Sequence, residues 1–209
     1  MPSWSWDFRH VNGAELSKLG RFEEALACTE RGLQIDPDTS ELWRNKGIIL
    51  KSLNEPEQAS ACFERMLGLK SHRYSYYELR DMIALFCDVG NLKSALKCCD
   101  AALKCNKLDA DLWSHKAIIL SKSGRYEEAL ASCKEGLAIE PRNHELWNIQ
   151  AAVLLPLERF EEGLIACDRG IEIDTNYAAL WENKGLILRA LGKPQEAEKF
   201  FERAKAIRR

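Results

Sequence analysis

Eight cysteines are the most reactive side chains in this sequence, and cysteines can bind metals, form disulfides or act as nucleophiles. No two of them form a Cys-x-x-Cys pair. The only close pair is Cys98–Cys99, and adjacent residues suit neither a structural disulfide nor a zinc site. Six cysteines recur at two positions of a repeated pattern, where a small, readily buried side chain favours packing. We predict a packing role for them: Cys28, Cys62, Cys98, Cys99, Cys133 and Cys167.

Other residue types that perform catalysis are present but are not arranged for it. The four histidines His10, His72, His115 and His144 are scattered, and none forms the one-turn pair of zinc hydrolases. Paired glutamates such as Glu127–Glu128 recur at the start of predicted helices, where acidic residues favour the helix dipole. Phosphate-binding and nucleophile motifs are missing from the sequence. We therefore predict a protein that is not an enzyme and that has no metal and no cofactor.

Composition narrows the class of protein. Hydrophobic residues make up 46% of the 209 residues and charged residues 30%, as in a foldable, soluble chain. The net charge of −2 argues against general nucleic-acid binding, which needs a basic surface. No apolar run is long enough to span a membrane, and the first residues, "MPSWSWDF", lack the features of a signal peptide. We expect a cytoplasmic protein that binds neither membrane nor nucleic acid.

A repeated helical pattern supplies the elements that position these residues. Trp113, Trp147 and Trp181 are spaced by 34 residues, and Trp43 precedes Trp113 by 70. Small residues lie four positions after each tryptophan position and apolar residues seven after, so these positions share one helical face. A glycine or polar residue follows eleven positions after it, where a helix should end in the left-handed conformation. Apolar or small residues at sixteen, twenty and twenty-three positions predict a second helix.

This pattern resembles the tetratricopeptide repeat family. The resemblance covers residues 6–209, with departures at Arg9, which replaces the tryptophan, and at Leu79 and Ile83. It implies an all-α fold, a right-handed superhelical solenoid of antiparallel helix pairs. We predict an N-terminal segment, 1–5, and one array, 6–209, with a two-residue insertion near 74–75 that changes the superhelical pitch. The repeats span about 6–39, 40–73, 76–109, 110–143, 144–177 and 178–209.

The two ends of the predicted array differ. Glu198 and Lys205 replace the aliphatic residues of earlier repeats, which indicates a polar C-terminal cap. Phe200 and Ile207 are expected to remain partly exposed. At the other end, the segment with Trp4 and Trp6 either covers the first repeat or mediates contacts. Self-association through the end faces therefore stays an alternative.

The resemblance also implies a binding surface. In this family, the residues one, two, five and eight after the tryptophan position line a concave groove that holds an extended peptide or a partner helix. Asparagines there either hold a peptide backbone or are simply solvated. We expect a ligand with an acidic and an apolar part. Pro156 should shorten or kink the first helix of the fifth repeat. The predicted groove residues are Arg44, Asn45, Ile48, Lys51, Arg80, Ser114, His115, Ile118, Asn148, Ile149, Asn183, Leu186 and Arg189.

One family subgroup clamps the C-terminal carboxylate of chaperones with a lysine and an asparagine one turn apart. Here His10 and Ala14 occupy the first such pair of positions and Arg44 and Ile48 the second, so we do not predict chaperone-tail binding. The sequence predicts a non-enzymatic scaffold or adaptor that binds a protein or peptide of unknown identity in its groove. A homo-oligomeric assembly module is the alternative, and an RNA-binding helical repeat is a weaker one.

Overall fold

The computed structural model describes residues 15–69 and 74–209, and all regular elements in these ranges are helices. The predicted all-α fold class is confirmed for them. Three predictions lie outside the described residues: the segment with Trp4 and Trp6, the substitution at Arg9, and the pitch change beside residues 70–73. The chain divides into two compact units, Met1–Ala95 and Leu96–Arg209, each considered separately below. The prediction of one continuous array stays a prediction.

Unit 1 contains a helical stretch at 15–18 followed by α1, Phe22–Ile35; α2, Ser40–Ser52; α3, Pro56–Gly68; α4, Tyr76–Asp88; and the start of α5, Leu92–Cys105. Unit 2 contains the rest of α5, then α6, Ala110–Lys122; α7, Tyr126–Ile139; α8, His144–Leu154; α9, Phe160–Ile173; α10, Ala178–Ala190; and α11, Pro194–Ile207. In unit 2, three- to five-residue connections make consecutive helices from α6 onward antiparallel neighbours. The first helices α6, α8 and α10 therefore run in the same direction.

Four first helices, α2, α6, α8 and α10, are each fastened to the preceding turn by a tryptophan. The indole Nε1 of Trp43, Trp113, Trp147 and Trp181 donates a hydrogen bond to the backbone carbonyl six residues earlier, at 2.7, 3.0, 2.9 and 2.9 Å. The tryptophans are half-buried rather than fully enclosed. Besides packing, they satisfy a turn carbonyl, which the spacing does not reveal.

The helix ends confirm the left-handed positions predicted eleven residues after the tryptophan position. Gly20, Gly90, Gly124 and Gly192 have φ angles of 73–76°. The two non-glycine occupants, Asn54 and Glu158, have φ angles of 61° and 56°. Asn tolerates this conformation better than Glu does, so Glu158 is the strained member of the set. Close by, α8 ends at Leu154 after 11 residues, which confirms the predicted shortening at Pro156.

Close helix packing depends on the small residues of the repeat. Gly170 on α9 lies against Leu180 on α10, and an added Cβ would be 2.6 Å from two Leu180 methyl carbons. Gly47 and Gly185 similarly leave no room beside the rings of Phe63 and Phe201. In unit 2, the resulting core includes Leu120, Ala151, Leu154 and Cys167, as the periodicity predicts. It also includes Ile187, six positions after Trp181, which the predicted positions do not contain; all five residues are 5% exposed or less.

Replacing Glu158 with glycine should raise the free energy of unfolding by roughly 0.5–1 kcal/mol, because glycine adopts positive φ without the steric cost of a Cβ. The change is measured by urea denaturation followed by helical circular dichroism. Gly124→Glu, the inverse change at the equivalent position, should lower stability. A Glu158→Gly protein that unfolds at lower urea than the wild type contradicts this account.

Gly170→Ala should lower the free energy of unfolding by roughly 1–3 kcal/mol, since Leu180 is fully buried and cannot move aside. That cost exceeds the gain of about 1 kcal/mol from alanine's better helix propensity. Gly68→Ala is the matched control, because nothing lies within 4 Å of a Cβ added there. If both variants are as stable as the wild type in the same urea titration, the contact between Gly170 and Leu180 does not prevent a larger side chain at position 170.

Candidate functional site

The predicted groove residues of unit 1 lie on α2 and α4, and one of them is already engaged. The Arg44 guanidinium forms an ion pair with Glu78 at 3.0 Å, and Glu78 also closes the capping box of α4 with Ser75. Arg80 lies over the Tyr76 ring, 5.9 Å from its centroid. The remaining members of this surface are half-buried or exposed: Asn45, Ile48 and Lys51.

In unit 2, the predicted residues lie on the parallel first helices α6, α8 and α10. Asn148 and Asn183 join two of these helices: the Asn183 amide nitrogen donates to the Asn148 side-chain oxygen at 2.8 Å. With this assignment, the Asn148 amide nitrogen keeps two N–H donors and the Asn183 side-chain oxygen remains an acceptor for a ligand. Leu186 is half-buried beside them, and Arg189 lies over the Phe201 ring at 5.4 Å.

Ser114 is the one predicted groove residue whose placement needs correction, because it is buried with 8% exposure. Arg44 and Asn148, the residues at its position in other repeats, each contact the following first helix. The side chain directly after the tryptophan therefore points toward the next first helix. At position 114 this side chain is a short serine, and it is covered by that neighbouring helix. Its neighbour His115 is exposed, and its Nδ1 lies 2.7 Å from the Asp111 carbonyl oxygen. The Nδ1 therefore carries the proton in the neutral ring.

A depression of about 410 Å³ lies between α6 and α8, and we call it the α6–α8 depression. Ile118 from α6 and Ile149 and Ala152 from α8 supply its apolar side chains. Ile118 is 37% exposed, so part of its side chain is accessible to a ligand. The depression thus combines three helix-borne apolar groups with polar groups at its rim. Its lining residues are Ile118, Ser121, Lys122, Glu145, Asn148, Ile149, Ala152 and Tyr177.

Five lining residues are absent from the list of predicted groove residues: Ser121, Lys122, Glu145, Ala152 and Tyr177. Ser121 and Ala152 occupy the eighth and fifth positions of the predicted face. Lys122, nine positions after Trp113, and Glu145, two before Trp147, lie on the same helical face outside the four positions used, and Tyr177 lies in the turn before α10. The Tyr177 ring packs edge-on against His144 with centroids 4.8 Å apart. Burial, and then the carboxylates of Glu145 and Asp174, raise the pKa of Tyr177. Its hydroxyl therefore stays protonated and able to donate a hydrogen bond near neutral pH.

The cysteines outside this site have the environment expected of packing residues. Five of them are buried, and burial raises the pKa of Cys98, Cys133 and Cys167 to about 12. A thiol with such a pKa is almost entirely protonated at physiological pH and is a poor nucleophile. Cys105, at the end of α5, is the exposed one. Within 15–69 and 74–209, no group of three or more His, Cys, Asp or Glu side chains could hold a metal ion.

Comparison with known proteins places the chain in a family. Residues 17–84, 98–131 and 178–209 each match the tetratricopeptide repeat. The chain belongs to the tetratricopeptide repeat family. Proteins of this family generally serve as protein-interaction scaffolds and are typically non-catalytic. Among curated proteins, an uncharacterized protein of Methanocaldococcus jannaschii is 29% identical over 66 residues, which cover 32% of this chain and 77% of that protein.

Several solved structures have a similar fold. YrrB, a TPR protein with an unusual peptide-binding site, superposes with a TM-score of 0.60 at 18% identity, covering 86% of this chain and 91% of YrrB. MamA from Desulfovibrio magneticus RS-1 gives 0.66 at 17% identity, over 81% and 94% of the two chains. A chain of the Naa15/Naa10 complex bound to HypK-THB gives 0.73 at 18%, over 94% of this chain but 30% of that one. These identities establish the fold alone.

In the described part of this tetratricopeptide repeat protein, no helix is long and apolar enough to cross a membrane.

Thiol labelling tests the assignment of the cysteines. At pH 8, an alkylating reagent should modify Cys105 at a rate close to that of a free thiol. Cys133 and Cys167 should react far more slowly, since their raised pKa leaves little thiolate and burial excludes the reagent. Peptide mass spectrometry over time measures each site, and a urea-unfolded sample is the control in which all should react. Native-state labelling of Cys133 as fast as Cys105 contradicts the packing role.

Proposed function

We propose that this chain is a non-enzymatic scaffold or adaptor that binds a partner protein through the first-helix face of unit 2. The α6–α8 depression is the observation that carries the proposal. It presents Ile118, Ile149 and Ala152 to solvent on rigid helices, and apolar groups held in a concavity with a polar rim are typical of binding sites. The scaffolding role general in the family supports this reading.

The amide pair next to the depression supports the same surface. Asn148 lines the depression and is held by Asn183, so its position is set before a partner binds. Fixed polar groups beside an apolar patch favour affinity and specificity, because less side-chain freedom is lost on binding. The groove residues of unit 1, among them Asn45, Ile48 and Lys51, form a second surface of the same type on α2 and α4.

Self-association through the ends of the array remains the second candidate. The outward positions of α11 argue against that end as the contact, because Glu198 and Lys205 are exposed and charged. A copy stacked on them would bury both charges at a substantial cost. A dimer that persists in sedimentation at micromolar concentration would favour the self-association candidate. RNA binding has less support, given the net charge of −2.

The test is to fill the depression and compare captured partners. The variant Ile118→Arg with Ala152→Arg places two long cationic side chains in it, while both positions remain in their helices. The matched control is Ile165→Arg with Ala138→Arg, the same two changes at exposed positions of the second helices α9 and α7. Helical circular dichroism must show equal folding. We expect quantitative affinity capture from the native cell extract to lose at least one protein with the first variant and none with the control.

Equal captures by the wild type, the filled variant and the control would overturn the proposal for this face. A protein lost with the control variant but retained by the filled one would place the interaction on the second helices instead.

A further inference from the structure

The rim of the α6–α8 depression carries two opposite charges that are not neutralised by ion pairing. Neither the Lys122 ammonium nor the Glu145 carboxylate forms an ion pair with another residue of 15–69 or 74–209. Other charges of unit 2 are paired, such as Lys116 with Asp100 at 2.7 Å and Arg159 with Glu162 at 2.7 Å. An unpaired cation and an unpaired anion in one depression offer a partner two separate points of charge complementarity.

These two charges lie at opposite ends of the depression. Glu145 is in the first turn of α8, two residues before Trp147, and Lys122 is the last residue of α6, nine residues after Trp113. The helices α6 and α8 run in the same direction and occupy equivalent places in the repeat. Measured from the tryptophan of each helix, the two charges are therefore eleven residues apart along the helix direction. Eleven positions correspond to roughly 16 Å, or three helical turns. The apolar residues Ile118, Ile149 and Ala152 lie between them.

The shape favours a helix as the occupant. The charged and apolar groups of the depression are spaced along the direction of two parallel helices. An extended chain that crosses these helices at right angles would therefore reach only one of the two charges. Ser121 and Ala152, both small, line it on either side and leave room for another backbone. A third helix in such a groove approaches its neighbours to about 8–10 Å between axes. Along that helix, residues i, i+4, i+7 and i+11 lie on one face, which matches charge, apolar, apolar, charge.

The order of Lys122 and Glu145 along the depression determines in which direction the partner helix runs. Acidic residues favour the N-terminal turn of a helix and basic residues the C-terminal turn. An acid beside Lys122 therefore places the partner's N-terminus at the C-terminal end of α6. A base beside Glu145 places its C-terminus at the N-terminal end of α8. The partner helix then runs opposite to both, and its dipole opposes theirs favourably.

We propose that the α6–α8 depression binds an amphipathic helix of a partner protein, antiparallel to α6 and α8. The partner's acidic residue i lies beside Lys122, its apolar residues i+4 and i+7 contact Ile118, Ile149 and Ala152, and its basic residue i+11 lies beside Glu145. The inference rests on the proposed function, since it specifies what the same surface binds.

A selection experiment tests the form and the charge order of the ligand. A displayed library of random segments about 16 residues long, enough for three helical turns, is selected on the immobilised full chain. Counter-selection uses the Ile118→Arg, Ala152→Arg variant. We expect enriched segments to carry an acid and a base eleven residues apart, in that order, with apolar residues at i+4 and i+7. Chemically synthesised winners should gain helical circular dichroism on binding.

A charge exchange provides the decisive comparison. In the double variant Lys122→Glu with Glu145→Lys, the preference between a selected peptide and its charge-reversed counterpart should invert. We expect a preference of about tenfold in Kd in each direction, as two exposed ion pairs are replaced by two repulsions. The control exchanges adjacent exposed charges on α7, Lys134→Glu with Glu135→Lys, and should keep the wild-type preference.

The outcomes separate the inference from the proposed function. Enrichment of extended or proline-rich segments that still require Ile118 and Ala152 would overturn the helical occupant and leave the binding face intact. A charge preference unchanged by the exchange at Lys122 and Glu145 would overturn the docking direction. If no selected segment binds the wild type better than the Ile118→Arg, Ala152→Arg variant, both the helical occupant and the proposed binding face are overturned.

Discussion

The close approach of first and second helices at glycine and alanine is the constraint on which the rest of the structure depends. Gly163, Gly170 and Gly185 have no space for a methyl group beside Ile187, Leu180 and Phe201. Because helices packed this closely cannot rotate about their axes, the residues opposite the buried stripe face solvent in a fixed order. Ile118, Asn148 and Ile149 owe their positions to packing contacts on the other side of their helices. The candidate binding face is thus a consequence of the core.

Hydrogen bonds and ion pairs add a second level of order to this packing. The tryptophan indoles secure the turns before α2, α6, α8 and α10. On three of these helices, α2, α6 and α10, the lysine three positions after the tryptophan pairs with the preceding second helix, as Lys46 does with Glu30 at 2.8 Å. The fifth repeat departs from this rule, since Gln150 replaces the lysine and its buried side-chain oxygen has no hydrogen-bond partner among the described residues. Lys134 replaces the acid at the matching position of α7, so a lysine at 150 would face a like charge.

Much of this architecture follows from the sequence, because periodicity reports what is buried. The helical face of Gly47 and Leu50, the left-handed ends at Gly124 and Glu158, and the short α8 before Pro156 are all local consequences of residue type and spacing. The face away from the core is less predictable, because its side chains form hydrogen bonds and ion pairs with residues on neighbouring helices. Ser114 is covered by its neighbours, Arg44 is held by Glu78, and Asn148 is held by Asn183. Tyr177 joins the depression from a turn, where helical periodicity gives no information.

In the proposed function, the first-helix face of unit 2, around Ala152, contacts the partner protein. Site-specific photocrosslinking measures that contact most directly: a photoreactive amino acid replaces Ala152 in one protein and exposed Ala138 on α7 in another. The account predicts a discrete crosslinked partner from position 152 in cells of the native source and none from position 138. Crosslinks from 138 alone, or identical crosslinks from both positions, would contradict it.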